Sequence, residues 1–227
     1  MPPKAKFSRE QITKAALSVV SEKGSLALTA KELGAALGTS TTPIFTVFNS
    51  MQEVQDAVML AAMERFEEYA HKAAQIKPVF KQVGMQMILF AKEEPKLYQL
   101  IFMSSISEAQ TFDDIYAHLG SLADECLDVL QKDYDLSKDN AKTLFEHVWI
   151  HTFGIGALCA TGVCDFSHEQ IAEMLTQDFT AMMILPSHPI MTISIDIFLC
   201  FRILSLYYFN FFKKALRQYR TEQRCAI

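Results

Sequence analysis

Cysteine is scarce in this sequence of 227 residues: five are present, and no two of them form a CxxC motif. Cys159 and Cys164 lie five positions apart and lack the His or Cys partners that a zinc site requires. The opening residues, MPPKAKFSRE, contain no apolar run of the kind found in a signal peptide. We therefore expect a protein of the reducing cytoplasm, without a disulfide framework or a metal site.

Motifs of catalysis are missing as well. The sequence has no nucleophile elbow, no HExxH motif, no paired-carboxylate motif and no Gly-rich phosphate loop. His118 and Cys126, like His151 and Cys159, are eight residues apart, which is about two helical turns and too far for a direct dyad. We expect no catalytic residues, no cofactor and no enzymatic activity.

Positive charge is in short supply and is unevenly distributed, since the formal net charge is −5 at pH 7. Residues 1–50 hold six Lys or Arg against three Glu, a net of +3. Residues 51–185 hold nine basic against twenty-one acidic side chains, and residues 186–227 hold six against two. A basic segment joined to an acidic body is typical of a protein in which only one part faces a polyanion.

Helix-start signals recur near the N-terminus. A capping box at Ser8 precedes an apolar stripe with helical spacing, and Gly24 is the residue expected to end that helix. A second capping box begins at Thr29, and a tight turn is expected at Gly38. These signals predict three helices of about sixteen, nine and seven residues over positions 8–48, the outline of a helix-turn-helix.

The third predicted helix carries no Lys or Arg, and the surrounding stretch from residue 37 to 54 has none either. Helical spacing turns Ile44 and Phe48 inward, toward Leu33 and Leu37. The same spacing exposes one aromatic residue among hydroxyl residues, namely Thr41, Thr42, Phe45 and Thr46. Such a row is unusual on a solvated helix, and insertion into a DNA groove would account for it.

The rest of the chain up to residue 185 also has helical periodicity. A capping box at Ser50 opens a segment that reaches about residue 74, and another lies at Ser167. Further helices are predicted at residues 78–92, 95–104, 112–133, 138–161 and 167–185. The predicted fold class is all-α, with a three-helix helix-turn-helix followed by a longer helical body.

A series of residues in the first part of the chain carries a family resemblance. The series is Ile12, Ala15, Ala16, Gly24, Leu28, Thr29, Leu33, Leu37, Gly38, Ile44, Phe45, Phe48 and Val54. Its order and spacing resemble, without a gap, the N-terminal domain of the TetR/AcrR family of transcriptional regulators over about residues 6–66. In the body, Trp149 and Gly154 resemble a Trp…His-Gly signature of one family C-terminal domain, although Phe153 stands where that signature has His.

The resemblance implies a homodimer with two DNA-binding heads and a helical body that carries an effector pocket. It divides the chain into a DNA-binding domain at 6–66, an effector-binding and dimerisation domain at 67–185, and an apolar, basic tail at 186–227. The expected function is a cytoplasmic repressor that a small apolar or amphipathic effector releases from operator DNA. The alternative is a helical ligand-binding or interaction protein of the same fold that has lost specific DNA binding.

The head departs from the family where phosphate contacts are usual. Phe45 stands where many members have Tyr, Val47 where a basic residue or His is common, and Met51 where many have Lys. Phosphate contacts are therefore expected from the N-terminal arm and the start of the second helix, with a modest salt dependence. The predicted DNA-binding residues are Lys4, Lys6, Arg9, Thr29, Lys31, Ser40, Thr41, Thr42, Phe45, Thr46 and Asn49.

Aromatic residues and methionines are frequent between residues 60 and 160, and most of them are expected in the core. Methionine in quantity also suits a pocket that adapts its shape. The predicted effector-pocket residues are Phe66, Phe90, Tyr98, Phe102, Met103, Tyr116, His147, Trp149, His151 and Phe153. A purely structural role for the histidines among them stays open.

Composition changes after Pro186. Residues 190–212 are rich in β-branched and aromatic side chains and long enough to span a bilayer. Asp196 and Arg202 lie inside this segment, and each costs about 2.5–3.5 kcal/mol near the centre of a membrane, so a membrane partner is not expected. An extra packed helix, a membrane segment and a non-native extension all stay open for residues 186–227.

Overall fold

The first helix begins where the capping box predicts it. The computed structural model describes residues 6–73, 76–105 and 111–184, and helix α1 spans Arg9–Lys23. The Ser8 hydroxyl accepts a hydrogen bond from the Gln11 backbone N–H at 3.1 Å, and the Gln11 side chain accepts one from the Ser8 backbone N–H at 2.9 Å. Gly24 ends the helix with a positive φ of 85°, a conformation in which any other residue would be strained.

Helix α2 spans Ala30–Ala36 and is followed by the predicted tight turn. Thr29 caps the helix, because its hydroxyl accepts a hydrogen bond from the backbone N–H of Glu32 at 3.2 Å. Gly38 has a φ of 63°, and the N–H of Thr39 donates to the carbonyl of Gly34 at 2.9 Å, as in a Schellman turn. A Cβ atom on Gly34 would lie 3.0 Å from the carbonyl oxygen of Thr39, so this close turn requires glycine there.

The prediction of a seven-residue third helix is wrong, because the segment forms only a 3-10 helix at Ile44–Thr46. The Thr46 hydroxyl donates to the Pro43 carbonyl at 2.7 Å, a side-chain-to-backbone hydrogen bond within this short turn. Ile44 and Phe48 are nevertheless 0% and 1% exposed, which confirms the predicted inward orientation. The segment is therefore a short turn anchored by two apolar side chains.

The body consists of longer helices. Helix α3 spans Met51–Ala73, α4 Val79–Glu93 and α5 Pro95–Tyr98, and a π-helix follows at Gln99–Ser105. Two more long helices close this part of the chain, α8 at Lys138–Ala160 and α9 at His168–Ile184. Helix α4 lies at the centre, where it contacts α3, α8 and α9.

The predicted single helix over residues 112–133 is two helices. Helix α6 spans Phe112–Leu119 and α7 spans Ser121–Tyr134. Gly120 separates them with a φ of 55° and a ψ of −131°, a combination that interrupts the helical hydrogen bonds. The break lets α7 pack against α8 and α4 in a direction of its own.

Within the three described ranges every regular element is helical, which confirms the all-α fold class. The described residues fall within one compact unit, and α3 runs through residues 66 and 67 without a break, so the division of domains there stays a prediction. In the described ranges no helix is long and apolar enough to cross a membrane. Residues 186–227, with the open alternatives for the tail, lie outside the described residues.

Candidate functional sites

The 3-10 turn presents a hydroxyl-rich surface. Thr42, Thr46 and Ser40 are exposed, and Thr41 is half-buried. Phe45 projects among them with 45% of its surface accessible, which is unusual for so large an apolar residue. The described structure therefore brings the predicted hydroxyl residues and Phe45 together on one short segment.

Few cations accompany this surface. Lys6 lies beside the turn, where its Nζ atom donates to the Thr39 hydroxyl at 3.3 Å. Lys31 is exposed in the first turn of α2, next to the capping residue Thr29. Lys4 lies outside the described residues. Lys6 thus lies beside the hydroxyl surface, and Lys31 is exposed at the start of the preceding helix.

Arg9 and Asn49 are held within the chain by Glu53, the acidic residue of the capping box predicted at Ser50. Arg9 forms an ion pair with Glu53 at 2.6 Å, and its guanidinium lies 4.2 Å from the ring centroid of Phe48. Glu53 also accepts hydrogen bonds from the backbone N–H of Asn49 at 2.7 Å and from its side-chain amide at 3.0 Å. This cluster joins α1 to the start of α3 across 44 residues of sequence, so no local pattern could have indicated it.

The cluster has an electrostatic consequence for Glu53. The backbone N–H of Asn49 and then the Arg9 guanidinium stabilise the charged carboxylate and lower the pKa of Glu53 below its usual value. The carboxylate is therefore ionised in neutral solution, and Arg9 serves first as the brace between α1 and α3.

A second carboxylate joins the N-terminal helices to the body. Glu94, at the end of α4, accepts a hydrogen bond from the Ser21 hydroxyl at 2.9 Å and from Arg65 at 3.3 Å. Beside it, Glu93 accepts a hydrogen bond from the Tyr69 hydroxyl at 2.7 Å, and burial together with this carboxylate raises the pKa of Tyr69 to about 12. The end of α4 therefore contacts both α1 and α3 through charged hydrogen bonds.

Three cavities surround Phe80 in the body. The first, about 30 Å³, is bounded by α3, α4, α7 and α8 and lined by Phe66 and Trp149 among others. The second, about 370 Å³, lies between α3, α4 and α7, and the third, about 200 Å³, lies between α4, α8 and α9. Phe80 is a lining residue of all three cavities.

The predicted pocket residues divide into several groups. Phe66 and Trp149 line the first cavity. Phe90, Tyr98 and Phe102 are core residues, with Tyr98 donating to the Phe153 carbonyl at 3.2 Å and lying 6.5 Å from the Phe153 ring. Other predicted residues lie toward the surface: Met103 and His151 are exposed, while Tyr116 and His147 are half-buried.

The polar contacts of the outer group are local. The Tyr116 hydroxyl donates to Glu146 at 3.4 Å, and burial, followed by that carboxylate, raises the pKa of Tyr116. His151 lies 3.5 Å from Asp178 on α9. Neither residue lines any of the three cavities around Phe80.

Several cavity residues were not predicted. They include Phe80, Val83, Gly84, Met87, Cys126, Val148 and Thr152. Burial raises the pKa of the Cys126 thiol to about 12, so this side chain is an uncharged, apolar part of the wall at neutral pH. Phe80, Met87 and Cys126 are buried like the core residues around them, so sequence alone did not separate them from the core. In the described part of the chain, no group of three His, Cys, Asp or Glu side chains could hold a metal ion.

No protein-family model matches the sequence, and no curated relative matches it. Solved structures do match the fold. A TetR-like transcriptional regulator from a Rhodococcus species superposes with a TM-score of 0.55 at 15% identity, over 79% of this chain and 96% of that chain. A TetR-family regulator from Mesorhizobium loti gives a TM-score of 0.52 at 16% identity, over 75% and 92% of the two chains.

A third structure is that of Thermus thermophilus FadR, a TetR-family transcriptional repressor in complex with lauroyl-CoA. It superposes with a TM-score of 0.52 at 16% identity, over 80% of this chain and 97% of that chain. All three matched structures are transcriptional regulators rather than enzymes. This chain therefore has the fold of the TetR-like transcriptional regulators, with an N-terminal helix-turn-helix and a helical C-terminal part.

Proposed function

We propose that this protein is a TetR-family, DNA-binding transcriptional regulator, a repressor that leaves its operator when a small apolar or amphipathic effector enters the body. The single observation that carries the proposal is the exposed Thr42–Phe45–Thr46 surface on a helix-turn-helix scaffold. A large apolar side chain is rarely left this exposed in a solvated head, whereas a DNA groove offers partners for both hydroxyl and aromatic groups.

The proposed DNA contacts fall into two classes. Thr42, Phe45 and Thr46 face base edges, with Phe45 offering apolar contact to a thymine methyl group or a sugar. The second class contacts phosphates and consists of Lys4, Lys6, Thr29, Lys31, Ser40 and Thr41. Arg9 and Asn49 act indirectly, because Glu53 holds both and so fixes the start of α3 against the turn.

A homodimer is the proposed assembly, since a twofold pair of heads matches a palindromic operator. Ile150 and Leu158 are 55% and 38% exposed on one face of α8, and Met183 is exposed on α9. These apolar side chains form a face that a second copy of the chain can cover. Light scattering at micromolar concentration should give twice the chain mass of 25.7 kDa, and the mass of a single chain would rule out the dimer.

The effector site is assigned to the cavities around Phe80. They are largely apolar and sit on α4, whose end contacts α1 and α3 through Glu94. A ligand that moves α4 therefore acts directly on the support of the head. FadR was solved with lauroyl-CoA, so an amphipathic effector is compatible with this fold. We place the protein in the cytoplasm, where operator DNA lies.

The test is fluorescence anisotropy of the purified protein against tiled DNA from around its own gene, at two salt concentrations. The proposal expects one tile to bind at least about tenfold more tightly than scrambled DNA, with a modest salt dependence. Equal binding to every tile at both salt concentrations would instead favour a ligand-binding protein that has lost DNA recognition.

A further inference from the structure

The largest of the three cavities has walls and a mouth of different character. Its volume of about 370 Å³ falls within the range of about 300–1,000 Å³ that is usual for ligand sites. Its walls, between α3, α4 and α7, are apolar and are formed by Ala70, Val79, Phe80, Val83, Leu122 and Val129. Such a wall suits the hydrocarbon part of an amphipathic molecule.

The mouth of this cavity is acidic. Glu67 of α3 and Glu125 and Asp128 of α7 line it, together with His71 and Ser121, and no Lys or Arg is among the described lining residues. Asp128 is paired with Lys132 at 2.8 Å. Within the described part of the chain, neither Glu67 nor Glu125 forms an ion pair with a basic side chain. Two exposed carboxylates from different helices therefore face one apolar opening.

Nearby lysines are engaged elsewhere. Lys81 of α4 donates to the Thr176 hydroxyl on α9 at 2.7 Å, on the far side of its own helix. Lys72 of α3 lies 4.7 Å from the ring centroid of Tyr69. Neither of them lines the cavity, so the carboxylates at the mouth keep their negative potential.

We propose that this cavity takes a lipophilic monocation, an apolar body carrying one quaternary or protonated amine, with Glu67 and Glu125 facing the positive charge. The inference rests on the proposed function and narrows the effector class. Opposite charge at the mouth attracts a cation, while the apolar wall accepts its hydrocarbon part. The same carboxylates repel a polyanion such as an acyl-CoA, so this chain selects a different ligand charge from that in the FadR complex.

The experiment compares three probes with the same chain length: decyltrimethylammonium, decanol and decanoate, each below its micelle concentration. Trp149, the only tryptophan in the chain, lines the neighbouring cavity of about 30 Å³. That cavity and the proposed site have Phe80 and Val83 as common lining residues. Its fluorescence therefore reports occupancy. We expect decyltrimethylammonium to bind about tenfold more tightly than decanoate.

Two double variants of equal charge change make the test specific. Glu67→Gln/Glu125→Gln should remove the preference for the cation. The matched control, Glu64→Gln/Asp124→Asn, changes one exposed carboxylate on each of the same two helices but none that lines the cavity, and should keep the preference.

The outcomes separate the two proposals. If decanoate or decanol bound as tightly as decyltrimethylammonium or more tightly, the proposed preference for a monocation would be wrong. The proposal of an effector-gated regulator would still stand. If the Glu67→Gln/Glu125→Gln variant kept the preference for the cation, these two carboxylates would not be the groups that face its charge. If none of the three probes changed Trp149 fluorescence or released DNA, the cavity would not be the effector site. If the protein without any probe did not bind DNA, the proposed function itself would be contradicted.

Discussion

The proposed binding groups lie on the outer surface in the head of this chain and around internal cavities in the body. In the head, Ile12, Leu33, Ile44 and Phe48 are almost completely buried, and the groups proposed to bind lie outside this core as exposed hydroxyls and one aromatic ring. In the body, space lies inside, around Phe80, and is lined by apolar side chains. The head thus offers a fixed outer surface, and the body offers adjustable inner volume.

The head and the body also differ in charge. The head carries a small excess of Lys and Arg near a surface with few cations of its own, whereas the cavity mouth in the body carries unpaired carboxylates. This distribution of charge fits the two proposals, a polyanion bound at the head and a cation bound at the cavity mouth. Each of the following changes acts on only one side of this contrast.

The largest effect should come from Gly156→Ala in the body. A Cβ atom there would lie 2.4 Å from the hydroxyl oxygen and 2.7 Å from Cζ of Tyr98, a buried ring that cannot move aside. We expect a loss of about 1–3 kcal/mol in the free energy of unfolding, measured by urea denaturation.

Gly154→Ala is the matched control on the same helix, because no atom lies within 4 Å of its added Cβ. It should leave the free energy of unfolding unchanged or raise it by up to about 1 kcal/mol. Light scattering on the same samples compares the mass of the Gly154→Ala variant with that of the wild type. A change in mass would indicate that a second copy of the chain packs against residue 154. Equal destabilisation by both variants would contradict the close packing of Tyr98 on Gly156.

The next effect belongs to the head. Lys6→Ala/Lys31→Ala should weaken binding to operator and scrambled DNA alike, by about tenfold at low salt, and should lower the slope of log affinity against log salt by about 2. Anisotropy titrations at several salt concentrations measure both quantities. Lys77→Ala/Lys138→Ala removes two exposed lysines outside the head and should leave the slope unchanged; an equal loss there would show that overall charge, not the head, drives binding.

A smaller and more selective effect is expected from Thr42→Ala. This residue is exposed on the turn, and loss of its hydroxyl and methyl should change the ranking of single-base operator variants by about 1 kcal/mol at the contacted position. Competition anisotropy against a set of operator variants measures the ranking. Thr42→Ser keeps the hydroxyl and should change it less. A uniform loss across all variants would move Thr42 into the class of phosphate contacts.

The smallest effect concerns pH and the brace between α1 and α3. Because the pKa of Glu53 is lowered in the folded chain, its contribution to stability is present above the unfolded value, near 4.5, and is lost as pH falls through the folded value. Thermal unfolding of wild type and Glu53→Gln should therefore differ at pH 7 and converge as the pH falls through the lowered, folded-state pKa. Glu64→Gln, an exposed carboxylate on the same helix, should show no such convergence. If the two proteins still differed in thermal stability at acid pH, ionisation of Glu53 would not be the cause of the difference.

Local signals predicted most of the fold because helix ends depend on neighbouring residues. The boxes at Ser8 and Ser167 form as predicted, and Gly24 has the positive φ that its position requires. The same reasoning failed at Pro43 and Gly120, where helical periodicity continues but the backbone cannot. At Gly120 a positive φ interrupts the helix, and after Pro43 the chain forms only a short 3-10 helix. Neither feature changes the apolar pattern around it.

Sites were less predictable because they depend on contacts between distant segments. Phe80 and Phe90 lie on the same helix and are both buried, yet only Phe80 lines the cavities, since its neighbours come from α7 and α9. Likewise, the ion pair between Arg9 and Glu53 joins residues 44 positions apart, so the sequence alone did not indicate it. Exposed hydroxyls were easier, because their exposure follows directly from the burial of Ile44 and Phe48.

The most direct test of the central claim, two reading heads held by one helical body, is a hydroxyl-radical footprint of the protein on its selected DNA tile. The account predicts two protected patches on one face of the duplex, related by a twofold axis and separated by about one helical turn or a multiple of it. A single patch, or uniform protection along the tile, would contradict it.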